Sequence, residues 1–323
     1  MSENQNGFSR MREFTPFEVV VPCSTANLGP GFDSIGMALN RYLRLRFSPS
    51  NELSLSVSGS YGKGIELNED NLIVSVMNQA CAEMGYPPIP FRLEIENEIP
   101  LTRGLGSSAA AIVGAYMAVN HLYQCGWDKE EILQKATKRE GHPDNVGASI
   151  FGGVVVGSWD GKTAQLLSCE APDLPIVAAV PKRSLSTKLA RHVLPSFYAK
   201  EATVLSSSRA NLLVAALFQK RWDLLQIAMQ DYFHQPYRET LIPGLREILK
   251  NAVKNGAYGA ALSGAGPTII AFAQDRERLT CYFKRIFAEM NIPAEMIDLK
   301  ASQTGAFVQL TAEQKRSKVL GKI

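Results

Sequence analysis

The segment 100–111, Pro-Leu-Thr-Arg-Gly-Leu-Gly-Ser-Ser-Ala-Ala-Ala, combines residue types that can hold a phosphate group. Its two glycines let the backbone approach a ligand at a distance where a Cβ would clash. Ser107 and Ser108 supply hydroxyl groups for phosphate oxygens or for a metal ion. The apolar run 109–120 predicts a helix, whose N-terminus would present free N–H groups and the positive dipole end to an anion. The segment therefore predicts a phosphate-binding loop.

This loop differs from two widespread phosphate-binding motifs. The nucleoside-triphosphate loop ends in Gly-Lys-Ser or Gly-Lys-Thr, and no lysine stands here. The dinucleotide fingerprint Gly-x-Gly-x-x-Gly is also absent. A short glycine-serine run can instead form a turn that caps a buried helix, so the loop alone leaves both interpretations open.

The elements around the loop follow from residue patterning. Strands are predicted by apolar or alternating runs at Phe17–Pro22, Tyr42–Phe47, Glu52–Val57, Phe91–Glu96, Phe151–Gly157 and Ile176–Val180. Further helices are predicted at Leu72–Met84, Asp128–Arg139, Ala202–Phe218, Trp222–Met229, Leu241–Asn255 and Arg276–Met290. The small residues of Cys23–Asp33 predict a loop. Because strands and helices do not alternate strictly, we expect an α+β protein rather than a doubly wound sheet.

The length of the chain and the positions of its turn-forming residues predict two lobes. The chain has 323 residues, enough for two domains of ordinary size. Asp160-Gly161 and Ala171-Pro172-Asp173 interrupt the patterned segments, so we expect an N-terminal domain over 15–168 and a C-terminal domain over 169–323. The polar stretch 1–14 lacks the apolar core of a signal peptide and predicts a disordered tail.

Composition argues against several classes of protein. The net charge of +3 comes from well-mixed acids and bases, which gives no support for a nucleic-acid surface. No apolar run reaches the length of a membrane span. The five cysteines are scattered without a Cys-x-x-Cys pair, which favours neither a zinc site nor a disulfide framework. A reducing, cytoplasmic location fits this cysteine usage.

Three separated segments together resemble a known superfamily of small-molecule kinases. They are 21–36 (Val-Pro-Cys-Ser-Thr-Ala-Asn-Leu-Gly-Pro-Gly-Phe-Asp-Ser-Ile-Gly), the phosphate loop, and 256–271 (Gly-Ala-Tyr-Gly-Ala-Ala-Leu-Ser-Gly-Ala-Gly-Pro-Thr-Ile-Ile-Ala). In this order they resemble the motifs of galactokinase, homoserine kinase, mevalonate kinase and phosphomevalonate kinase. The first segment and Gly141-His-Pro-Asp-Asn-Val146 are most similar to homoserine kinases. The resemblance covers most of the chain, from about Val19 to Ala273.

The resemblance implies a fold and a reaction. The implied fold has an N-terminal nucleotide-binding lobe like domain 2 of ribosomal protein S5 and a C-terminal ferredoxin-like α/β-sandwich lobe. The implied reaction transfers the γ-phosphoryl group of ATP, with Mg²⁺, to the side-chain hydroxyl of L-homoserine, a step of threonine biosynthesis. It also suggests a homodimer. The implied nucleotide positions are Asn71, Pro100, Leu101, Thr102, Arg103, Gly104, Leu105, Gly106, Ser107, Ser108, Ala109, Ala110, Gly264 and Gly266. Asn71 could instead be a simple helix cap, and Gly264 and Gly266 could instead form an ordinary turn.

L-Homoserine carries an ammonium, a carboxylate and an alcohol, and the resemblance assigns a group to each. Asn27 and Asp33 would take the ammonium, although an Asx turn also explains these residue types. Arg191 and Arg238 would take the carboxylate, since guanidinium matches it in a bidentate fork, and Thr187 would assist. Surface arginines are common, so neither stands out without the resemblance.

The cluster His142, Asp144 and Asn145 is expected to lie at the acceptor hydroxyl. Either of the first two could act as a general base, although a structural loop histidine is an equal alternative. Related kinases use an aspartate where this chain has Asn145, which cannot take a proton; positioning and charge stabilisation are then the expected mechanism. The resemblance assigns Mg²⁺ to Ser108 and Glu140, with Asp144 as a substitute.

Two other functions remain open at this point. A relative could phosphorylate another alcohol, such as mevalonate, but that substrate would have no use for an ammonium-binding acid. A non-catalytic ligand sensor on the same fold would be expected to lack the phosphate loop or the magnesium carboxylate, and the phosphate loop is complete here.

Overall fold

The structure is a computed structural model, and it describes residues 14–310. Apart from Phe14, the predicted tail lies outside the described residues. The strands are β1 (Phe17–Asn27), β2 (Gly31–Pro49), β3 (Ser54–Ser58), β4 (Phe91–Asn97), β5 (Val154–Trp159), β6 (Ala164–Cys169), β7 (Ile176–Pro181), β8 (Ala257–Leu262), β9 (Ile269–Ala273), β10 (Ala294–Leu299) and β11 (Phe307–Leu310). The helices are α1 (Leu72–Glu83), α2 (Ser107–Tyr123), α3 (Lys129–Glu140), α4 (Asp144–Phe151), α5 (Thr187–His192), α6 (Lys200–Phe218), α7 (Leu225–Ala228), α8 (Gln235–Arg238), α9 (Leu245–Ala252) and α10 (Arg276–Glu289).

The first sheet is built on two long antiparallel strands, β1 and β2. Its strand order is β11-β1-β2-β4-β3, and the hairpin β5–β6 joins it through β2. Every residue of β1 is buried, because α2 and α4 pack against it. The apolar residues of α2 join those of the sheet in one core, which fixes the start of α2 close to the sheet.

The prediction of a loop over Cys23–Asp33 is wrong. β1 continues to Asn27 and β2 begins at Gly31, so only residues 28–30 form the turn. The small residues that resemble a loop are buried in the sheet, where Ser24 and Thr25 hydrogen-bond to neighbouring segments. Small side chains are needed here because other backbones and side chains approach closely.

The second sheet confirms the ferredoxin-like arrangement. Its antiparallel order is β10-β7-β9-β8, which is 4-1-3-2 in chain order. The helices α9 and α10 cover it through apolar side chains such as Ile248 and Phe283. Two predicted helices are shorter than expected: 222–229 is a 3₁₀ turn followed by α7, and 241–255 begins only after Pro243-Gly244.

The predicted boundary between the lobes does not hold for the end of the chain. Strand β11 pairs with β1, so residues 307–310 belong to the first sheet rather than to the second. Two connections therefore join the lobes, residues 170–175 and residues 300–306, and the second bonds to β2 through Lys300 and Ala301. They lie side by side, because Ile176 at the start of β7 pairs with Leu299 at the end of β10. A search of the described residues finds no helix with the length and hydropathy of a membrane span.

Candidate active site

A cavity of about 480 Å³ lies between the lobes and gathers most of the predicted site residues. Its lining includes Asn27, Asp33, Asn71, Leu101, Thr102, Arg103, Gly104, Gly106, Ser107, Ser108, Glu140, His142, Asp144, Asn145, Thr187, Arg191, Arg238 and Gly264. Three sequence motifs and both lobes thus contribute to one site.

Five predicted nucleotide positions do not line this cavity: Pro100, Leu105, Ala109, Ala110 and Gly266. The side chains of Leu105, Ala109 and Ala110 belong to the apolar core. The backbone N–H of Ala110 donates within the helix to Gly106, so it has no bond left for a phosphate. The side chains of Leu105, Ala109 and Ala110 thus support the loop from behind, whereas a nucleotide contact through the backbone N–H of Leu105 or Ala109 stays a prediction.

The phosphate loop is shaped by two glycines and leaves backbone N–H groups available to an anion. Gly104 and Gly106 have φ angles of +79° and +68°, and a Cβ at either position would collide with Ser263 or Ser24. Gly106 is the N-cap of α2 and provides no side-chain cap, so the first turn of α2 keeps N–H groups for an anion. The residues present therefore fit the phosphates of a nucleotide.

Asn71 acts as the helix cap that the sequence suggests. Its amide oxygen accepts from the backbone N–H of Ile73 at 2.9 Å, and its amide nitrogen donates to the carbonyl of Glu66 at 2.7 Å. Both ends of the amide are engaged in positioning the start of α1 at the rim of the cavity. A nucleotide contact through this side chain stays a prediction.

Glu140 and Ser108 meet at the start of α2, as predicted for a magnesium site. The Ser108 hydroxyl lies 3.3 Å from a carboxylate oxygen of Glu140. Glu140 ends α3, where a negative charge opposes the helix dipole, and burial raises the pKa of this carboxyl. A cation between the two oxygens would offset both the unfavourable helix dipole and the burial of the carboxylate charge. Such oxygen donors fit Mg²⁺.

His142 and Asp144 form a buried pair next to this site. The His142 Nδ1 lies 2.5 Å from Asp144 Oδ1. Burial lowers the pKa of His142, but the carboxylates of Asp144, Asp33 and Glu140 outweigh burial and raise the pKa to about 9. His142 is therefore an imidazolium at neutral pH, which lacks the lone pair that a general base needs.

This pair makes the stability of the protein pH-dependent in one direction. The pKa of His142 rises from 6.5 in the unfolded chain to about 9 in the fold, so its stabilisation is complete below pH 6.5 and is lost as pH rises through 9. We expect His142→Gln to lower the Tm at pH 6 and to lower it progressively less toward pH 9.5, measured by thermal unfolding. The exposed His192→Gln should follow the wild-type curve, and a Tm loss for His142→Gln that stays constant with pH would contradict the assignment.

Asn145 is held in a fixed orientation at the start of α4. Its Oδ1 accepts from the Ser24 hydroxyl at 3.0 Å, and its backbone N–H donates to Asp144 at 2.6 Å. The amide nitrogen lies 3.5 Å from Asp144 Oδ1, which uses one of its two N–H groups and leaves the other for a substrate hydroxyl. The amide can orient this hydroxyl but cannot accept its proton.

Asp33 and Arg191 form a bidentate ion pair between the lobes. The two guanidinium nitrogens of Arg191 lie 2.7 and 2.9 Å from the two Asp33 oxygens. Burial lowers the pKa of Arg191, but Asp33 outweighs burial and raises it. The groups predicted for the ammonium and for the carboxylate of a zwitterion thus neutralise one another in the free protein.

Arg238 is a buried cation without an ion-pair partner among residues 14–310. Only 2% of the residue is exposed, and its hydrogen bonds go to the carbonyls of Ala190 and Gly264 and to His234. Burial and the charge of Arg191 lower the pKa of Arg238 to about 10, so it stays charged at neutral pH. Asp231 and Asp33 act on this charge without pairing with it, and a buried cation that lines a cavity without a direct ion-pair partner favours an anionic ligand.

Asn27 connects the first motif to the third. Its amide nitrogen donates to Gly264 O at 3.1 Å, and its oxygen accepts the backbone N–H of Asp33 at 3.1 Å. The same carbonyl of Gly264 accepts from Arg238, so one backbone oxygen fixes groups on both sides of the cavity. Asn27 therefore positions Asp33, and a direct ammonium contact stays a prediction.

Sequence reasoning missed two residues of the site. Ser24 orients Asn145, and Phe32 places its ring 5.4 Å from the guanidinium of Arg191 and 5.6 Å from that of Arg238. Both residues stand inside the first motif, and Phe32 precedes Asp33 directly. An aromatic residue beside a proposed charged site was the signal available for Phe32, whereas the partner of Ser24 is distant in the chain.

Known protein families and individual proteins are similar to this chain in sequence. The family model for the GHMP kinases N terminal domain matches residues 71–153, and the GHMP kinases C terminal model matches residues 213–281. The homoserine kinase of Carboxydothermus hydrogenoformans is 40% identical over 89% of this chain and 95% of its own length. That of Bacillus licheniformis is 46% identical over 80% and 85%.

Solved structures give the same picture. The homoserine kinase from Cytophaga hutchinsonii is 27% identical with a TM-score of 0.78, covering 92% of this chain and 98% of its own. Galactokinase from Lactococcus lactis, at 16% identity, a TM-score of 0.66 and coverage of 93% and 96%, shares the fold alone. Identity of 40% or more over 80 to 89% of the chain, together with both domain matches, shows that the chain belongs to the homoserine kinase family of the GHMP kinases.

Proposed function

We propose that this protein transfers the γ-phosphoryl group of ATP to the side-chain hydroxyl of L-homoserine, giving O-phospho-L-homoserine for threonine biosynthesis. The observation that carries the proposal is one cavity that joins a phosphate loop to a pair of opposite charges, Asp33 and Arg191, beside the unpaired cation Arg238. A zwitterionic amino acid can replace the ion pair between Asp33 and Arg191 with two new ones, in which its ammonium pairs with Asp33 and its carboxylate pairs with Arg191. Relatives named homoserine kinase support the same substrate.

The residues around the acceptor support catalysis by positioning. In the proposed complex Asp33 holds the ammonium, and Arg191 and Arg238 hold the carboxylate, so that the hydroxyl reaches Asn145. The amide orients the hydroxyl in line with the phosphoryl group, and the imidazolium of His142 adds positive charge nearby. Phosphoryl transfer has a loose transition state, so the hydroxyl proton can pass directly to the transferred phosphate without a protein base.

Ser108 and Glu140 are the proposed ligands of Mg²⁺. The ion would neutralise charge on the phosphate oxygens and orient them. The N-terminus of α2 adds N–H donors to the same phosphates. The site would thus surround the phosphate oxygens with a cation and hydrogen-bond donors, which stabilise their negative charge during transfer.

The charged groups also discriminate between candidate acceptors. Mevalonate has a carboxylate and an alcohol but no ammonium, so binding it would separate Asp33 from Arg191 without giving Asp33 a new partner. An unpaired, partly buried carboxylate disfavours that complex. A ligand sensor that performs no transfer is the other candidate, and the intact pairing of Ser108 with Glu140 disfavours it.

We expect turnover with L-homoserine to exceed turnover with L-serine, L-threonine, mevalonate and galactose by about 100-fold or more in kcat/KM, since each lacks a charge or places the hydroxyl differently. ADP release with Mg-ATP measures this, and phosphorus NMR identifies the product. The reaction without acceptor is the control for ATP hydrolysis. Preferred turnover of another alcohol would overturn the substrate, and ATP binding without any turnover would favour the sensor.

A further inference from the structure

His234 is a fully buried histidine directly behind Arg238 that the proposed mechanism does not use. Its Nε2 lies 2.8 Å from the carbonyl oxygen of Gly29, and its Nδ1 lies 2.9 Å from Nη1 of Arg238. A carbonyl oxygen can only accept and a guanidinium can only donate. These two neighbours therefore fix the tautomer, in which Nε2–H donates to Gly29 and Nδ1 accepts from Arg238.

We propose that His234 is a positioning residue for substrate specificity, a neutral acceptor that orients Arg238 toward the carboxylate of the substrate. The inference rests on the proposed function, because it assigns Arg238 to that carboxylate. It adds a residue that contacts no substrate and acts only through the guanidinium.

A neutral acceptor orients Arg238 without cancelling its charge. Nε and Nη1 of Arg238 bond to the carbonyls of Ala190 and Gly264 and to His234, and none of these three bonds uses Nη2. A carboxylate in the place of the imidazole would hold the guanidinium equally well, but it would neutralise the charge that the ligand needs. Arg191, by contrast, is paired with Asp33 before any ligand arrives.

The surroundings of His234 keep it neutral and fixed. Burial and the charge of Arg238 lower the pKa of His234, although Asp231 and Asp33 oppose this change. The nearer carboxylate, Asp231, is engaged by the backbone N–H groups of Phe233, His234 and Gln235 at 2.6 to 2.9 Å, and it stands 3.4 Å from Nε2. Asp231 thus fixes the turn from which the imidazole reaches Arg238.

His234 also connects Arg238 to the turn that carries the ammonium site. The carbonyl that it binds belongs to Gly29, in the turn between β1 and β2, and the Phe32 ring stacks on the imidazole with centroids 5.3 Å apart. The next residue, Asp33, is the proposed ammonium partner. One imidazole therefore fixes the distance between the two ends of the zwitterion site.

Two amide variants separate the two hydrogen bonds. In His234→Asn the Oδ1 lies as many bonds from Cβ as Nδ1 does, so it can accept from Arg238, while the bond to Gly29 is lost. In His234→Gln the Nε2 lies as many bonds from Cβ as the imidazole Nε2, so it can donate to Gly29, while the acceptor for Arg238 is lost. Each variant keeps one bond of the two, which makes each a matched control for the stability of the other.

The test compares the KM for L-homoserine with the inhibition constant of 3-aminopropan-1-ol, which keeps the amine and the alcohol but lacks the carboxylate. For His234→Gln we expect the KM for L-homoserine to rise about 10-fold or more, since one charge-assisted hydrogen bond is lost. The inhibition constant of the amino alcohol and the KM for ATP should stay unchanged. For His234→Asn all three constants should stay within about threefold of the wild-type values.

Equal losses in both variants, or weaker binding of the amino alcohol together with L-homoserine, would overturn the inference, because both indicate general damage to the site. An unchanged KM for L-homoserine in His234→Gln would overturn it as well. Wild-type protein that does not phosphorylate L-homoserine would overturn the proposed function, and this inference with it.

Discussion

Glu140→Gln is expected to lower kcat about 1000-fold, because a bound Mg²⁺ supplies several kcal/mol of charge stabilisation to the transition state and Glu140 is its only carboxylate ligand in our assignment. The substitution keeps the size and the bond to Ser108, which lies 3.3 Å away. The Mg²⁺ concentration that gives half-maximal rate should rise as well. The measurement is kcat at saturating ATP and L-homoserine over a series of Mg²⁺ concentrations.

The control for this variant is Glu130→Gln, an exposed carboxylate on the same helix that should leave both constants unchanged. Asp144 is the rival ligand. If Glu140→Gln retains wild-type kcat and Mg²⁺ dependence while Asp144→Asn loses both, the magnesium assignment moves to Asp144. Because Asp144 also bonds to His142 and to the backbone of Asn145, the Mg²⁺ dependence rather than kcat alone decides between the two.

The second large effect concerns the carboxylate of the substrate. Arg191→Met should lower kcat/KM for L-homoserine about 100- to 1000-fold, since a bidentate charge-assisted contact to the substrate carboxylate is lost. Most of the loss should appear in KM, because the contact is made in the ground state as well as in the transition state. Steady-state kinetics at saturating ATP measure the two constants separately.

Lys188→Met, an exposed cation on the same short helix, is the control and should bind L-homoserine normally. The amino alcohol without a carboxylate provides the second comparison. Its inhibition constant should fall in Arg191→Met, because Asp33 is then free to bind the ammonium without first breaking its ion pair with Arg191. A parallel loss for L-homoserine and for the amino alcohol would show that Arg191 does not bind the carboxylate.

Part of the cavity lining could be predicted from the sequence because its residues stand inside local motifs. The phosphate loop, Glu140 and the His142–Asn145 turn lie within 45 residues of one another, and each motif carries glycines or polar residues that have few structural uses in a core. Asp33, Arg191 and Arg238 are far apart in the chain, and only the resemblance to a known family brought them together before the structure did.

What the sequence could not provide depends on contacts between distant segments. The small residues Ser24 and Thr25 suggest a loop until the neighbouring segments that they contact are known. The protonation state of His142 follows from three carboxylates gathered around it, and no spacing predicts their combined field. Strand β11 pairs with β1 across nearly the entire chain, so its sheet could not be inferred from local pattern.

The return of β11 to the first sheet determines how the lobes can move. The second lobe is attached through two adjacent connections, 170–175 and 300–306, and beside them Ile176 and Leu299 are paired neighbours in the second sheet. A body that is attached at two neighbouring points can bend about the line that joins them, but it resists twisting about the chain direction. Contacts between the lobes restrict this bending, because apolar residues of both, such as Val21 and Phe272, belong to one core, and Ser263 of the second lobe hydrogen-bonds to Thr25 and Gly104 of the first. A ligand therefore enters a cleft whose width is largely set before it binds.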